Sequence, residues 1–282
     1  MAQQGLAFGV RLVHLGPRAA ERLAVVIEHH VDVRLCSGGN RRRGTHYKSP
    51  GGLRHIPAAR HPPVKDSTRP PLVPICADMS KASEPALPVM GTKVPTGADW
   101  MHEIKYDGYR LIVVRENDRV RLLTKNGHDW AKRFPLIVEA ALKNRQKHFV
   151  IDGEAVVLTM TGLPDFDALH SRRHDDEVQF YAFDILAGDG DDYRSLPLKL
   201  RKPHLARLLA RRPEGIFAAP YEQGEIGPEL FRQACLHGLE GMVSKHADRA
   251  YRAGRCDHWI KVKNRQHPAF HRVRDIVSTQ KK

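Results

Sequence analysis

Lys105 stands in the run Glu103-Ile-Lys-Tyr-Asp-Gly-Tyr-Arg110, after a short stretch containing Trp100, Met101 and Ile104 and just before an Asp107-Gly108 turn. That arrangement offers an amine to a substrate beside backbone that can approach a ligand closely. An ammonium cannot attack, and a free lysine has a pKa of about 10.4, so burial or neighbouring cations must remove the proton. Lys261 and Lys263, in Trp259-Ile-Lys-Val-Lys263, are two positions apart. In a strand they share a face, where they would repel charge on a nucleophilic lysine and stabilise negative charge on its target. Asp152 and Glu154 likewise share a face by their i, i+2 spacing. Phe183 and Tyr181, inside Phe180-Tyr-Ala-Phe-Asp-Ile-Leu186, offer an aromatic surface. Each signal has a plain structural alternative. Lys-x-Asp-Gly is also a strand ending in a turn, Lys261 and Lys263 also suit the solvated side of an edge strand, and Asp152-Gly153 also suits a bulge. Phe183 and Tyr181 also suit a core, and Arg249, Arg252 and Arg255 read as solvated surface.

The elements that must position these groups are mostly strands. Tyr109–Arg115 reads as a buried strand, followed by the Asn117-Asp118 hairpin turn and Val120–Thr124. Phe134–Asn144 has helical periodicity. His148–Thr159 reads as a long strand interrupted by Asp152-Gly153-Glu154, and Val178–Leu186 as another. Leu198–Arg211 and Pro228–His237 read as amphipathic helices, and Glu240–Lys245 and Trp259–Val262 as short strands. The pattern implies an α+β, or mixed α/β, fold of mainly antiparallel sheets flanked by helices.

The 282 residues carry 46 Lys/Arg against 32 Asp/Glu, a net charge of +14, which points to a polyanionic partner such as nucleic acid. Residues Met1–Arg69 hold 12 Lys/Arg and 4 Asp/Glu, so +8 of the total lies there and +6 remains for the rest. Residues 1–78 include Leu23–Leu35, one potential helix or strand, then the Gly- and Arg-rich Ser37–Arg43 and a Pro/Arg/His stretch. They read as a disordered or non-native extension, with Met79 as the natural start. Four cysteines without C-x-x-C spacing argue against a zinc site or disulfide framework and for a reducing cytosol. No apolar run is long enough to span a membrane.

Six motifs lie in order: Lys105–Arg110, Thr124–Gly127, Ile151–Glu154, Phe180–Leu186, Leu239–Lys245 and Trp259–Lys263. Together, over about Pro85 to Asn264, they resemble the nucleotidyltransferase motifs of ATP-dependent DNA ligases, especially the bacterial ligases associated with end joining. The resemblance implies an ATP-grasp-like adenylation domain over 79–264, with ATP and Mg²⁺ (or Mn²⁺) as cofactors and nicked double-stranded DNA as substrate. It implies Lys105 as the nucleophile that forms lysyl–AMP. Glu103, Ile104, Arg110, Glu154, Phe183, Lys261 and Lys263 are then nucleotide-binding, with Phe183 stacking on adenine, and Asp152 and Glu240 are metal-linked. Thr124–Gly127 would touch DNA phosphate or nucleotide. A full ligase of this type carries an OB-fold domain after the last motif. Here Asn264–Lys282 is too short for five strands, so the expectation is a monomeric adenylation domain with an OB-fold or end-joining partner and a short C-terminal tail. An RNA ligase or capping-type nucleotidyltransferase would use the same lysine chemistry, and a non-catalytic DNA-binding module is the remaining alternative.

Overall fold

The computed structural model describes residues 84–272 apart from 189, 212 and 213. The readings of Leu23–Leu35 and Ser37–Arg43 lie outside the described residues. Strands predominate, in two sheets. The six-stranded sheet orders β4 (Arg119–Thr124), β3 (Tyr109–Glu116), β5 (His148–Val156), β6 (Gln179–Gly188) and β7 (Asp191–Asp192), with β8 (Ile216–Ala218) pairing β6 in parallel. The five-stranded sheet orders β1 (Ala86–Met90), β11 (Gly254–Lys263), β10 (Gly241–His246), β2 (Trp100–Ile104) and β9 (Tyr221–Gln223). Every pairing is antiparallel except β6 with β8 and β1 with β11, so the sequence-based expectation of mainly antiparallel sheets holds.

Period-two alternation assigns the two faces of the larger sheet. Along β3, Leu111 and Val113 join a core under the helices α1 (Pro135–Lys143) and α3 (Leu198–Leu208), while Ile112 and Val114 join a second core against the other sheet. That second core unites Tyr181, Phe183 and Leu186 of β6 with Cys256 and Trp259 of β11 and Ala86 of β1. The far side of the five-stranded sheet is closed by α4 (Gly227–Leu236), whose Leu230 packs on Met242, Val262 and Ile104. A short α2 (Phe166–His170), capped by the Asp165 side chain, completes the described elements. The layers thus run helix, sheet, sheet, helix, and the site lies between the sheets.

The Asn117-Asp118 hairpin is as expected, with Asn117 at φ 54, the left-handed value that a two-residue hairpin loop asks for. β1 had no sequence signal, because Pro88 argues against a strand. The structure accommodates it at the edge of its sheet, where the register shifts between Pro88 and Val89. Cys235 and Cys256 are free thiols.

Candidate active site

Lys105 lies just past β2, and its backbone N–H donates to the Gly241 carbonyl at 3.0 Å. Glu240 precedes β10 and is held by Asn264, whose backbone N–H donates to the Glu240 carbonyl at 2.8 Å. Gly241 enters β10 at φ +146, and a Cβ there would lie 2.1 Å from the Val262 carbonyl oxygen, so only glycine brings Glu240 under the lysine. The Lys105 ammonium donates to Glu240 Oε2, and the Lys263 ammonium donates to Oε1 at 2.9 Å. Burial would push the Glu240 carboxyl up, but Lys105 and Lys263 outweigh it and hold it below the usual range. Trp259, Lys261 and Lys263 alternate along β11 as the spacing predicts. Trp259 enters the inter-sheet core, and burial, then the charges of Lys105, Lys263 and Lys125, depress Lys261. Lys125, from the Thr124–Gly127 motif, is thereby placed near the same cluster.

The facing sheet supplies the second half. Arg110 on β3 donates to both oxygens of Asp152 on β5, at 2.5 and 2.7 Å, and to the Ala86 carbonyl at 3.2 Å. The Tyr251 hydroxyl donates to Asp152 Oδ2 at 2.6 Å and accepts the Ala86 N–H at 2.8 Å. Burial works against the Arg110 charge, but Asp152 overrides it and raises the guanidinium further. Asp152, expected as metal-linked, is fully buried with both oxygens engaged in this way. Its visible work is to fix Arg110. Glu154, two positions on, sits beside Gly108, where a Cβ would come within 2.3 Å of the Ala155 carbonyl oxygen. Glycine at 108 therefore lets the lysine turn press against β5. Burial pushes the Glu154 carboxyl up to about 7, Lys105 and Arg110 pull it down, and Glu240 and Asp152 push it up.

Phe183 is 8% exposed, with Arg110 Cζ 4.3 Å and Lys245 Nζ 3.8 Å from its ring centre. A desolvated cation over a ring is worth about 2 kcal/mol, so any base stacking on Phe183 competes with these cations. Tyr181 is a core residue, 1% exposed and stacked on Tyr106 at 4.9 Å. Glu103 accepts from Lys202 and Lys245, both at 2.6 Å, and all three are buried. Burial lowers Lys245 to about 8 despite the opposing pull of Glu103. The Ile104 side chain leaves the site and packs under α4, so only its backbone faces the lysine side. Arg249, Arg252 and Arg255 are exposed, in keeping with the solvated reading.

The segment after β11 folds back over this centre. Arg272 donates to both oxygens of Asp107, at 3.1 and 2.5 Å, and Lys263 donates to the Ala269 carbonyl at 3.3 Å. His267, lowered by burial, feels the charges of Asp107, Glu240, Arg272 and Lys105.

Sequence reasoning missed Lys202, Tyr251 and the roles of Lys245 and Arg272. A signal for Lys202 exists. Leu198, Arg201, Lys202 and Leu205 follow the i, i+3, i+4, i+7 pattern of a buried helix face, and all four are buried. Arg201 pairs there with the fully buried Asp184 at 2.8 Å.

Comparison with known proteins gives this geometry a context. The family model for the ATP dependent DNA ligase domain matches residues 74–263. The multifunctional non-homologous end joining protein LigD of Pseudomonas aeruginosa is 37% identical over 172 residues, covering 60% of this chain and 20% of that protein. Among solved structures, mycobacterial DNA ligase D complexed with ATP and MES is 33% identical at a TM-score of 0.57, covering 64% of this chain and 60% of that one. The ligase domain of M. tuberculosis LigD is 32% identical at a TM-score of 0.58, covering 65% and 61%. The chain thus spans about a fifth of the length of that curated relative.

Proposed function

Because this chain belongs to the ATP-dependent DNA ligase domain family, we propose that residues 79–264 are an adenylation domain and that Lys105 is its nucleophile. The deprotonated Lys105 amine attacks the α-phosphorus of ATP. A P–N bond forms, the P–O bond to pyrophosphate breaks, and pyrophosphate leaves with the electron pair. A 5′-phosphate oxygen at a nick in duplex DNA then attacks the AMP phosphorus and the amine leaves, regaining its proton. Finally the 3′-hydroxyl displaces AMP and closes the strand.

The observation that carries this reading is the cluster in which Lys105 and Lys263 share Glu240 with Lys261 beside them. Lys261 and Lys263 face the charge that develops on the phosphate, where fixed cations are most effective. Arg110, locked by Asp152, and Glu154 address the ribose. Phe183 offers the base a stacking surface, and Glu103 with the Ile104 backbone bounds the base from the lysine's own strand. Among the described residues no group of three His, Cys, Asp or Glu could hold a metal. Mg²⁺ commonly needs only one or two carboxylates plus substrate phosphates. Glu154 and Glu240, close enough to raise one another's cost of ionisation, fit that role better than the fully engaged Asp152. Mg²⁺, or Mn²⁺ in its place, would neutralise triphosphate charge there.

The reading extends to a monomer acting in the bacterial cytosol on nicked DNA, alongside other end-joining proteins. Among the described residues no helix is long and apolar enough to cross a membrane. Incubation with α-labelled ATP and Mg²⁺, followed by a denaturing gel, tests the chemistry. Label in the wild type and none in Lys105→Ala supports it. An unlabelled wild type, with Mn²⁺ also tried, overturns it, and label from GTP in place of ATP favours a capping-type enzyme.

A further inference from the structure

On the helix-bearing face of the six-stranded sheet, turned away from Lys105, the C-terminal ends of α1 and α3 meet over β6 and leave a cavity of about 480 Å³. Its floor includes Ile185 and Tyr193, and the His204 ring lies 4.3 Å from that of Tyr193. Lys143, Arg145, Arg207 and Arg211 stand around it, and among the described residues no carboxylate lines it. Lys143 has an exposed partner, Glu139, at 3.6 Å. The three arginines are exposed and pair with no carboxylate among the described residues.

Two features keep this place positive and fixed. The end of a helix normally presents unpaired carbonyls and a negative pole. Here Arg115 takes the Ala141 and Asn144 carbonyls at 2.5 and 2.6 Å, so α1 does not offset the surrounding cations. The Asn144 side chain donates to the Leu208 carbonyl at 2.8 Å, tying the end of α1 to the end of α3. The backbone that carries Arg145 is therefore fixed beside the end of α3 before any ligand arrives, which lowers the ordering cost of binding. Arg207 lies in the last turn of α3 and Arg211 in the turn three residues past its end, and both line the cavity. Guanidinium groups gathered at one place suit phosphate groups, which they bind through paired N–H donors.

We propose that this cavity is a second DNA-contact site, at which Arg145, Arg207 and Arg211 hold phosphodiester groups of a substrate strand away from the bond being sealed. The proposal rests on the reading of the chain as a protein that acts on DNA. The test is binding of a fluorescent nicked duplex across a salt series, using the full chain and its R145A/R207A/R211A variant. Each lost phosphate contact lowers the slope of log affinity against log salt by about 0.9, so the variant's slope is expected to be shallower by about 2–3, with weaker binding at low salt. Lysyl–AMP labelling is expected to match the wild type, since the three side chains lie on the opposite face from Lys105. An unchanged slope overturns the proposal. So does tripolyphosphate binding that depends on these arginines while DNA binding does not, because the site would then belong to a small polyanion. Loss of labelling in the wild type as well would count against the adenylation reading and leave the slopes to judge this one.

Discussion

The five-stranded sheet contributes to two clusters of the same composition, a glutamate between two lysines, and sets them to different work. Glu103 with Lys202 and Lys245 is sealed, with side chains no more than 4% exposed. Glu240 with Lys105 and Lys263 is open at one side, its lysines 22% and 12% exposed. In the sealed cluster every charge has given up water, and aromatic rings as well as carboxylate surround Lys245. Such a set holds only while complete, because removing one member leaves an uncompensated buried charge. In the open cluster a lysine can exchange its carboxylate for a phosphate without stranding a charge. Burial, more than the identity of the groups, separates the two clusters.

The sharpest break in the comparison is one charged group removed from each side. Lys105→Ala is expected to abolish labelling by α-labelled ATP while shifting the urea midpoint less than any change in the sealed cluster does. Retention of label in that variant would remove the open cluster from the chemistry. Glu103→Gln takes away the carboxylate that Lys202 and Lys245 donate to in their buried site and is expected to cost about 3–5 kcal/mol in urea unfolding. A loss below about 1 kcal/mol, typical of exposed pairs, would erase the distinction drawn here.

A pH series sharpens the open side. Glu154, raised to about 7, is neutral below that pH and ionised above it. Labelling of the wild type is expected to rise severalfold through pH 7, and Glu154→Gln to flatten that rise. Stability runs the other way. The folded state keeps a proton that the unfolded chain releases from about pH 4.5, so this group's contribution is full below that pH and is lost as pH rises to about 7. A wild-type profile without an inflection there would disprove the assignment. The smallest effect expected is from Tyr251→Phe, which removes a hydroxyl from Asp152 and from the Ala86 N–H at about 1–3 kcal/mol. Calorimetry would register it, with nucleotide affinity falling only as far as Arg110 loosens.

The open cluster was legible in part. The alternation of Lys261 and Lys263 on one strand placed both beside Lys105, whereas Glu240 was expected only by resemblance, as metal-linked, and its sharing between Lys105 and Lys263 was not foreseen. The sealed cluster was not, since Lys202 sits in Leu-Lys-Leu-Arg-Lys, a run that reads as solvated until its place between Leu198 and Leu205 is noticed. Asp152 illustrates a different gap. Spacing put it on the same face as Glu154, but only the structure shows Arg110 and Tyr251 occupying its oxygens. For the fold, long apolar strands such as β3 and β6 declared themselves. β1 did not, because its pairing with β11 is set by residues about 170 positions away.

That pairing has a consequence for the order of events during synthesis. The first described strand finds its neighbour only when β11 exists, Lys105 meets Glu240 across 135 positions, and Lys245 meets Glu103 across 142. Contacts so distant in sequence form slowly, and here they wait for the last described strand to emerge. A nascent chain halted between residues 105 and 240 holds Lys105 but neither Glu240 nor Lys261 and Lys263. Ribosome-bound fragments of increasing length should therefore stay inert toward nucleotide until the strand bearing Lys261 and Lys263 has cleared the exit tunnel.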